Sequence, residues 1–166
     1  MAKLQLAIDQ ITFARGYTLR LLDQTKVEDW FRQPPAGVTH IAWQVGHMAM
    51  AQYYLALVRT RGERPEDEQL IPLEFREVFE AKTVPSADPS FYPNQSAIRT
   101  VFDRVHDQIL RELAALDERQ ADEPILKPHS LAKTKYGSLI WCSQHELVHA
   151  GQIGLLRRQL GYAPVW

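Results

Sequence analysis

The hydrophobic residues of this chain recur at helical spacing in four separate segments. In the first segment, about Leu4–Gln24, apolar side chains are three and four residues apart, which places them on one face of a helix. The members of this stripe are Leu4, Ile8, Ile11, Ala14, Thr18 and Leu22. Arg15 adjoins the stripe, and we expect it to lie at the edge of the buried face. The pattern therefore predicts an amphipathic first helix.

The second periodic segment, about His40–Thr60, is apolar around most of its circumference. It reads HIAWQVGHMAMAQYYLALVRT, which predicts a helix that is buried on most sides. The preceding stretch, QPPAGVTH, holds two prolines and a glycine that interrupt helical structure. We expect Thr39 to be the N-cap of this second helix.

Two further helices are predicted in the second half of the chain. The third covers about Asn94–Leu116, and the fourth covers about Tyr136–Leu160. The apolar stripe of the third helix consists of Ile98, Phe102, Val105, Ile109, Leu113 and Leu116. The fourth helix is expected to end at Gly161, a natural C-cap that is followed by Pro164.

A long connection, about Arg61–Pro93, joins the second and third predicted helices. It is rich in proline and charged residues, and its segment IPLEFREVFEA is a candidate short helix. Long connections in compact domains are often lids or crossovers, and the alternative is a plain tie between two parallel helices. Because no alternating strand pattern is present, we predict an all-α protein, a four-helix bundle with a long connection between helices 2 and 3. Residues 1–166 are expected to form one domain.

Composition and charge exclude several classes of protein. The hydrophobic fraction of 45% is sufficient for a folded core, and the net charge of -1 gives no electrostatic reason to expect nucleic acid as a partner. The apolar residues near the N-terminus are interrupted by polar ones, so neither a signal peptide nor a membrane span is predicted. With a single cysteine there is no internal disulfide, and we expect a cytoplasmic protein.

The fourth helix carries the motif HELVH, in which His145 and His149 are four residues apart. This spacing puts both imidazoles on one helix face, one turn apart, where they can reach one metal ion. The motif also matches the H-E-x-x-H of zinc metallopeptidases. Its usual completions are missing, because Gln152 and Leu155 occupy the later glycine and histidine positions.

A third ligand must therefore come from upstream, and His47 is the best candidate. It lies in the middle of the apolar second helix, where a histidine needs a hydrogen-bond partner or a metal. Without the histidine pair on the fourth helix, His47 would be interpreted as a core histidine whose ring has a hydrogen-bond partner. The adjacent Gly46 allows another segment or a ligand to approach closely. The other histidines fit less well: His40 at the pocket mouth or helix start, His106 at a solvent edge and His129 in a surface loop.

Several neighbours of the histidine pair are candidates for supporting roles. Glu146 is a weak candidate for an acid–base residue, and an exposed glutamate paired with a neighbouring helix is the favoured interpretation. Cys142 lies one turn before His145; it is a candidate ligand or reactive thiol, although a buried small residue is favoured. The residues that can orient a ligand ring are Gln44, Gln144 and Gln152.

The order of these segments resembles the DinB-like (YfiT-like) superfamily of metal-binding four-helix bundles. The matching pieces are FARGYTLRLL, THIAWQVGHMAMAQYY and HELVHAGQIGLLRRQLGYAP, and together they extend over nearly the whole chain. The resemblance implies that His47, His145 and His149 are the three ligands of a divalent metal such as zinc or nickel. It also implies a homodimer. Members of this superfamily include S-transferases that use bacillithiol, mycothiol or glutathione, and a thiol-dependent isomerase.

Three functions remain open at this point. The favoured one is a metal-dependent enzyme of the thiol S-transferase or hydrolase-like type that acts on a small molecule, with a low-molecular-weight thiol as a candidate cosubstrate. The first alternative is a non-catalytic bundle whose metal is structural or absent. The second alternative is a metallopeptidase of the H-E-x-x-H type, in which Glu146 is the general base.

Overall fold

The computed structural model describes residues 2–35 and 37–166, and these are organised around four long helices. The α-helical segments are, in chain order, α1 (Lys3–Asp23), α2 (Ile41–Gln52), α3 (Arg59–Arg61), α4 (Asp67–Leu70), α5 (Leu73–Val78), α6 (Gln95–Ala114) and α7 (Lys135–Gln159). Helix α1 packs along α7, α2 packs along α6, and α2 also contacts α7. The described residues contain no strand, only an isolated bridge between Pro124 and Thr134. The predicted all-α bundle is thus confirmed.

The predicted stripes are the buried faces of these helices. On α1, Ile11 and Ala14 are fully buried, and on α6 the same is true of Phe102 and Ile109. The largest fully buried side chains are Trp30, Tyr53, Phe79, Phe102, Ile11, Ile41, Met48, Leu57, Ile71, Ile98, Ile109 and Leu139. Among the described residues, no helix combines the length and the apolar character that crossing a bilayer requires.

The N-cap of α2 is His40, and the prediction of Thr39 was wrong by one residue. The Trp43 backbone N–H donates to Nδ1 of His40 at 3.1 Å, while Nε2 of His40 donates to the Ser86 carbonyl at 3.0 Å. The Thr39 hydroxyl accepts instead from Nε2 of Gln44 at 3.1 Å. Nδ1 of His40 therefore caps the helix, which was one of the two roles considered for this residue, while Nε2 ties the ring to the long connection.

The predicted second helix changes its winding halfway along. After α2, residues Tyr53–Val58 form a π-helical turn before α3 completes the run. Within this turn the Arg59 backbone N–H donates to the Tyr54 carbonyl, five residues earlier. The Leu55 carbonyl in this turn accepts from the Ser138 hydroxyl of α7 at 2.6 Å, which joins the turn to α7.

The long connection packs on the bundle through α4 and α5, and α5 is the short helix predicted there. The ring of Phe79, just after α5, is fully buried against Gly46 of α2. A Cβ atom at position 46 would overlap that ring, so only glycine permits the observed approach. This contact explains the predicted role of Gly46 and brings the backbone of the connection next to His47.

Helix α7 ends as predicted, at a glycine in left-handed conformation. Gly161 has a φ of 93°, its N–H donates to the Arg158 carbonyl, and the Tyr162 N–H donates to the Arg157 carbonyl. This pair of hydrogen bonds is the Schellman motif, which satisfies carbonyls that the helix leaves unpaired.

Arg15 is buried, and the expectation that it lies at the edge of the first stripe was wrong. Its side chain is only 4% exposed. The guanidinium donates to Glu146 at 2.9 Å, to Gln52 at 2.8 Å and to the Phe102 carbonyl at 2.9 Å. A buried cation is stable only with such partners, which come from the three other long helices.

His106 is also buried, at 7% exposure, and not at a solvent edge as predicted. Its Nδ1 atom has no hydrogen-bond partner among the described residues. Burial, together with the nearby Arg15 cation, lowers the pKa of His106 to about 3. The folded protein therefore holds this imidazole neutral.

Acid should destabilise the metal-free protein partly through His106. In the unfolded chain its imidazole binds a proton below about pH 6.5, whereas the folded chain resists protonation until about pH 3. The contribution of His106 to the free energy of unfolding is therefore complete above about pH 6.5 and is lost as the pH falls toward 3. At pH 5 the free energy of unfolding should be lower by about 2 kcal/mol. Urea titrations at pH 7 and pH 5 should show a correspondingly smaller acid loss in His106→Leu. An equal acid loss in both proteins would contradict this assignment.

Candidate metal centre

Three histidines from two helices converge on one point. His47 comes from α2, and His145 and His149 come from successive turns of α7. One nitrogen of each ring lies within 4.8 Å of the others, and the Nε2 atoms of His145 and His149 are 3.2 Å apart. His47 and His149 are buried and His145 is half-buried. The structure thus brings together all three residues that the sequence analysis selected.

Hydrogen bonds outside the cluster fix two of the three rings. Nδ1 of His47 donates to the Phe79 carbonyl at 2.9 Å, and Nδ1 of His149 donates to Oε1 of Gln44 at 2.5 Å. Because carbonyl and amide oxygens only accept, Nδ1 carries the proton in both rings. Each Nε2 therefore keeps a lone pair directed away from its outer partner. Histidine ligands of protein metals are generally held by outer hydrogen bonds of this kind.

Packing further restricts the His47 ring. The indole of Trp43 stacks on it with ring centroids 4.8 Å apart and an angle of 5° between planes. The indole is itself held by a hydrogen bond from its Nε1 to the Thr83 hydroxyl at 3.0 Å. Thr83 and Phe79 both belong to the long connection, which therefore helps to position a residue of the cluster.

The three imidazoles are neutral at physiological pH. Burial is the largest cause that lowers their pKa values, to about 4 for His145 and about 3 for His149, and the pKa of His47 is lowered as well. The neighbouring rings add to the effect on His145 and His149. Metal ions bind the neutral form of imidazole, so the cluster requires little proton release to accept a cation.

The donor set fits a divalent ion. Zn–N bonds of 2.0–2.1 Å in tetrahedral geometry separate two ligand nitrogens by about 3.3 Å. The 3.2 Å between the Nε2 atoms of His145 and His149 is close to this value. In the part of the chain that the structure describes, the cluster has three donors, fewer than the four of closed structural zinc sites. It therefore leaves room for an outside ligand.

The cluster adjoins two cavities, both of which His47 helps to line. The first, of about 500 Å³, lies on the side of His145, and the second, of about 570 Å³, lies on the side of His149. The first cavity is lined by His47, Met50, Ala51, Tyr54, Leu55, Arg59, Leu73, Arg76, Glu77, Glu80, Ala81, His129, Trp141 and His145. Gln44 and Gln152 line the second. Each cavity is large enough for a small organic molecule.

Glu146 forms hydrogen bonds inside the bundle and not at the histidine cluster. Its side chain is 1% exposed, and its carboxylate accepts from Nε of Arg15 at 2.9 Å and from Nε2 of Gln52. The predicted pairing with a neighbouring helix is present, but the predicted exposure was wrong. The sequence gives no sign of this burial because Arg15 is 131 positions away. Glu146 lies outside the histidine cluster.

The remaining candidates divide into partners of the cluster and residues outside it. Gln44 orients His149, as considered. Gln152 is exposed, but its side-chain hydrogen bond with His149 raises the pKa of that ring, whereas Gln144 is exposed. Cys142 is 1% exposed, and burial raises the pKa of its thiol, in agreement with the favoured interpretation as a buried small residue. His129 is half-buried and lines the first cavity, so its assignment to the surface was only partly right. The Phe79 carbonyl was missed, because a backbone acceptor has no sequence signature.

Comparison with known proteins agrees with this architecture. A crystal structure of a conserved protein from Enterococcus faecalis is similar, with a TM-score of 0.73 at 17% identity, over 98% of this chain and 99% of that one. This likeness concerns the fold. No significant match was found among curated proteins. The family model of the DinB superfamily matches residues 10–153, which include the whole histidine cluster. The chain therefore belongs to the DinB superfamily.

Proposed function

We propose that His47, His145 and His149 hold one divalent metal ion and that the protein is a metal-dependent enzyme acting on a small molecule. The favoured reaction is transfer of an electrophilic group to a low-molecular-weight thiol, and a hydrolase-like reaction is the variant with water as nucleophile. The observation that carries the proposal is the convergence of three neutral imidazoles beside a cavity of about 500 Å³. Nitrogen ligands of this type suit zinc or nickel.

Each part of the site has a distinct task in this proposal. A divalent ion bound by the three rings supplies positive charge that lowers the pKa of a coordinated thiol or water. Gln44 and the Phe79 carbonyl keep two rings in the tautomer that leaves Nε2 free. The half-buried His145 faces the cavity, where its neighbour Trp141 offers an aromatic wall to an incoming molecule.

The nucleophile has to enter from solution. The thiol of Cys142 is fully enclosed, and burial raises its pKa, so the reactive thiolate form is disfavoured. No other cysteine is present in the sequence. An external thiol, or water, is therefore the nucleophile that the site can use.

The burial of Glu146 argues against a metallopeptidase. A peptidase general base must reach a water molecule at the metal. Here both carboxylate oxygens are engaged by Arg15 and Gln52 inside the bundle. The open side of the cluster likewise favours a reactive centre over a purely structural metal, because structural sites are usually closed by a fourth protein ligand.

Thiol transfer should depend on the cluster and not on Cys142. Metal-loaded protein is given a panel of low-molecular-weight thiols with a chromogenic electrophile, and product formation is followed by absorbance. Turnover should be abolished in His149→Ala and retained in Cys142→Ala, since only the former loses a proposed ligand.

A cobalt-substituted sample separates the two candidate reactions. A thiolate–cobalt charge-transfer band on addition of thiol supports the transferase. Failure of every thiol to change the cobalt spectrum would overturn the transferase proposal and leave the hydrolase-like reaction, which ester substrates in the same absorbance assay can detect.

A further inference from the structure

The π-helical turn Tyr53–Val58 places Arg59 on the same side of the helical run as His47. In an uninterrupted α-helix, residues eleven apart share a face, because eleven residues make about three turns. A π turn accommodates one additional residue, so the separation becomes twelve, which is the spacing between these two residues. Both residues accordingly line the cavity beside His145. π turns of this kind are frequent at functional sites.

Arg59 has no anionic partner among the described residues. No carboxylate lies within 4.0 Å of its guanidinium, whereas Arg61 on the same turn pairs with Asp67 and Glu112. Its Nε atom is buried and has no hydrogen-bond partner. Burial is also the main cause that lowers the pKa of Arg59, and it outweighs the opposing electrostatic effect of Tyr54. Such an arrangement is unfavourable until an anion arrives.

The rest of the cavity favours a small organic anion with a single negative charge. Its walls include the apolar side chains of Met50, Leu55 and Trp141. Arg76 also lines it, but this cation is already paired with Glu63 and Glu68. The exposed carboxylates of Glu77 and Glu80 at the same cavity repel a dianion such as phosphate more strongly than a monoanion. A carboxylate matches the planar guanidinium and can accept two parallel hydrogen bonds from it.

We infer that Arg59 binds the carboxylate of the small molecule whose opposite end reaches the histidine cluster. This inference rests on the proposed function in one respect: the end of the small molecule that faces the metal is taken to be a thiol. The Cα atoms of His47 and Arg59 are about 17 Å apart along the helix axis. Because helical side chains tilt toward the N-terminus of their helix, Arg59 is expected to reach toward His47, and the ligand then extends over a length on the order of 10 Å. The substrate class is therefore an extended thiol that carries a remote carboxylate.

A length series of simple thiols tests the inference without knowledge of the natural ligand. The probes are ω-mercaptoalkanoic acids of increasing chain length and the ω-mercaptoalcohols of the same lengths. Affinity is measured by calorimetry for both families, and metal coordination is followed by the spectrum of the cobalt-substituted protein. Acids long enough to span the cavity should bind about tenfold more tightly than the matching alcohols, as expected for a charge-assisted pair. Short acids should show no such preference.

Variants of Arg59 identify the cation responsible. Arg59→Gln should abolish the preference for long acids and leave the alcohols unaffected, and Arg59→Lys should retain part of it. Arg111→Gln, a change of equal charge at an exposed position of α6, should retain all of it. Equal affinity for long acids and alcohols in the wild-type protein, or a preference that survives in Arg59→Gln, would overturn the inference.

Failure of the proposed function gives a different result. In that case no thiol changes the cobalt spectrum, while the long acids still bind in calorimetry with an affinity that depends on Arg59. A carboxylate site would then stand without thiol chemistry. Conversely, alcohols and acids that coordinate the metal equally well support the thiol function and refute the carboxylate site.

Discussion

Replacement of His149 by alanine should release most of the divalent metal that the wild-type protein binds. The wild-type protein is expected to hold about one ion per chain, because the three neutral rings form one cluster. Loss of an outer partner of a ligand typically weakens metal binding 10- to 100-fold, so loss of the ligand itself should have a larger effect. Elemental analysis after gel filtration measures the metal content. His47→Ala should behave in the same way.

Two further variants make this measurement specific. Gln44→Ala retains all three rings but removes the acceptor that fixes His149, so its metal affinity should fall by about 10- to 100-fold. His129→Ala alters the wall of the first cavity without touching the cluster, and it should keep the wild-type metal content. Wild-type metal content in both His47→Ala and His149→Ala would show that the cluster is not the metal site.

The histidine cluster was predictable because part of its geometry depends on residues that are close together in the sequence. The spacing of His145 and His149 determines that they share a face of α7, whatever the rest of the chain does. His47 could be added because a histidine in an apolar helix requires a polar partner. The bounds of two long helices were likewise predictable, since α1 and α7 each begin and end within one residue of the expected positions.

Long-range partners account for what the sequence did not reveal. Polar residue types such as arginine, glutamate and histidine are seldom fully buried, so local sequence patterns place Arg15, Glu146 and His106 at the protein surface. Arg15 and Glu146 are buried because the packing of the four helices brings them together across 131 positions. His106 is instead buried as a neutral ring, and its Nδ1 has no hydrogen-bond partner among the described residues. The position of Arg59 at the cavity was not predicted, because α-helical periodicity takes no account of the π turn that precedes Arg59.

Neutralising Glu146 should destabilise the fold strongly, by about 3–5 kcal/mol. In Glu146→Gln the guanidinium of Arg15, 4% exposed, loses its buried carboxylate partner and keeps Asp103, which is 44% exposed and 3.7 Å away. The buried charge is then poorly compensated, which costs more than the ion pair itself contributes. Arg15→Met, which leaves the carboxylate buried and unpaired, should cost a similar amount. Urea unfolding monitored by circular dichroism measures both losses.

Removing the whole buried network should restore much of the stability lost in the single variants. In the triple variant Arg15→Met, Gln52→Leu and Glu146→Leu no uncompensated charge remains, and apolar side chains of similar volume occupy the same space. Arg119→Gln, which breaks a fully exposed ion pair, should leave the unfolding midpoint unchanged. If the triple variant is instead as unstable as the sum of its parts, the network stabilises the bundle in its own right, and burial of an unpaired charge is not the cause.

Metal content should remain close to one ion per chain in every variant that is folded at the temperature of measurement, because Glu146 contacts Arg15 and Gln52 and lies outside the histidine cluster.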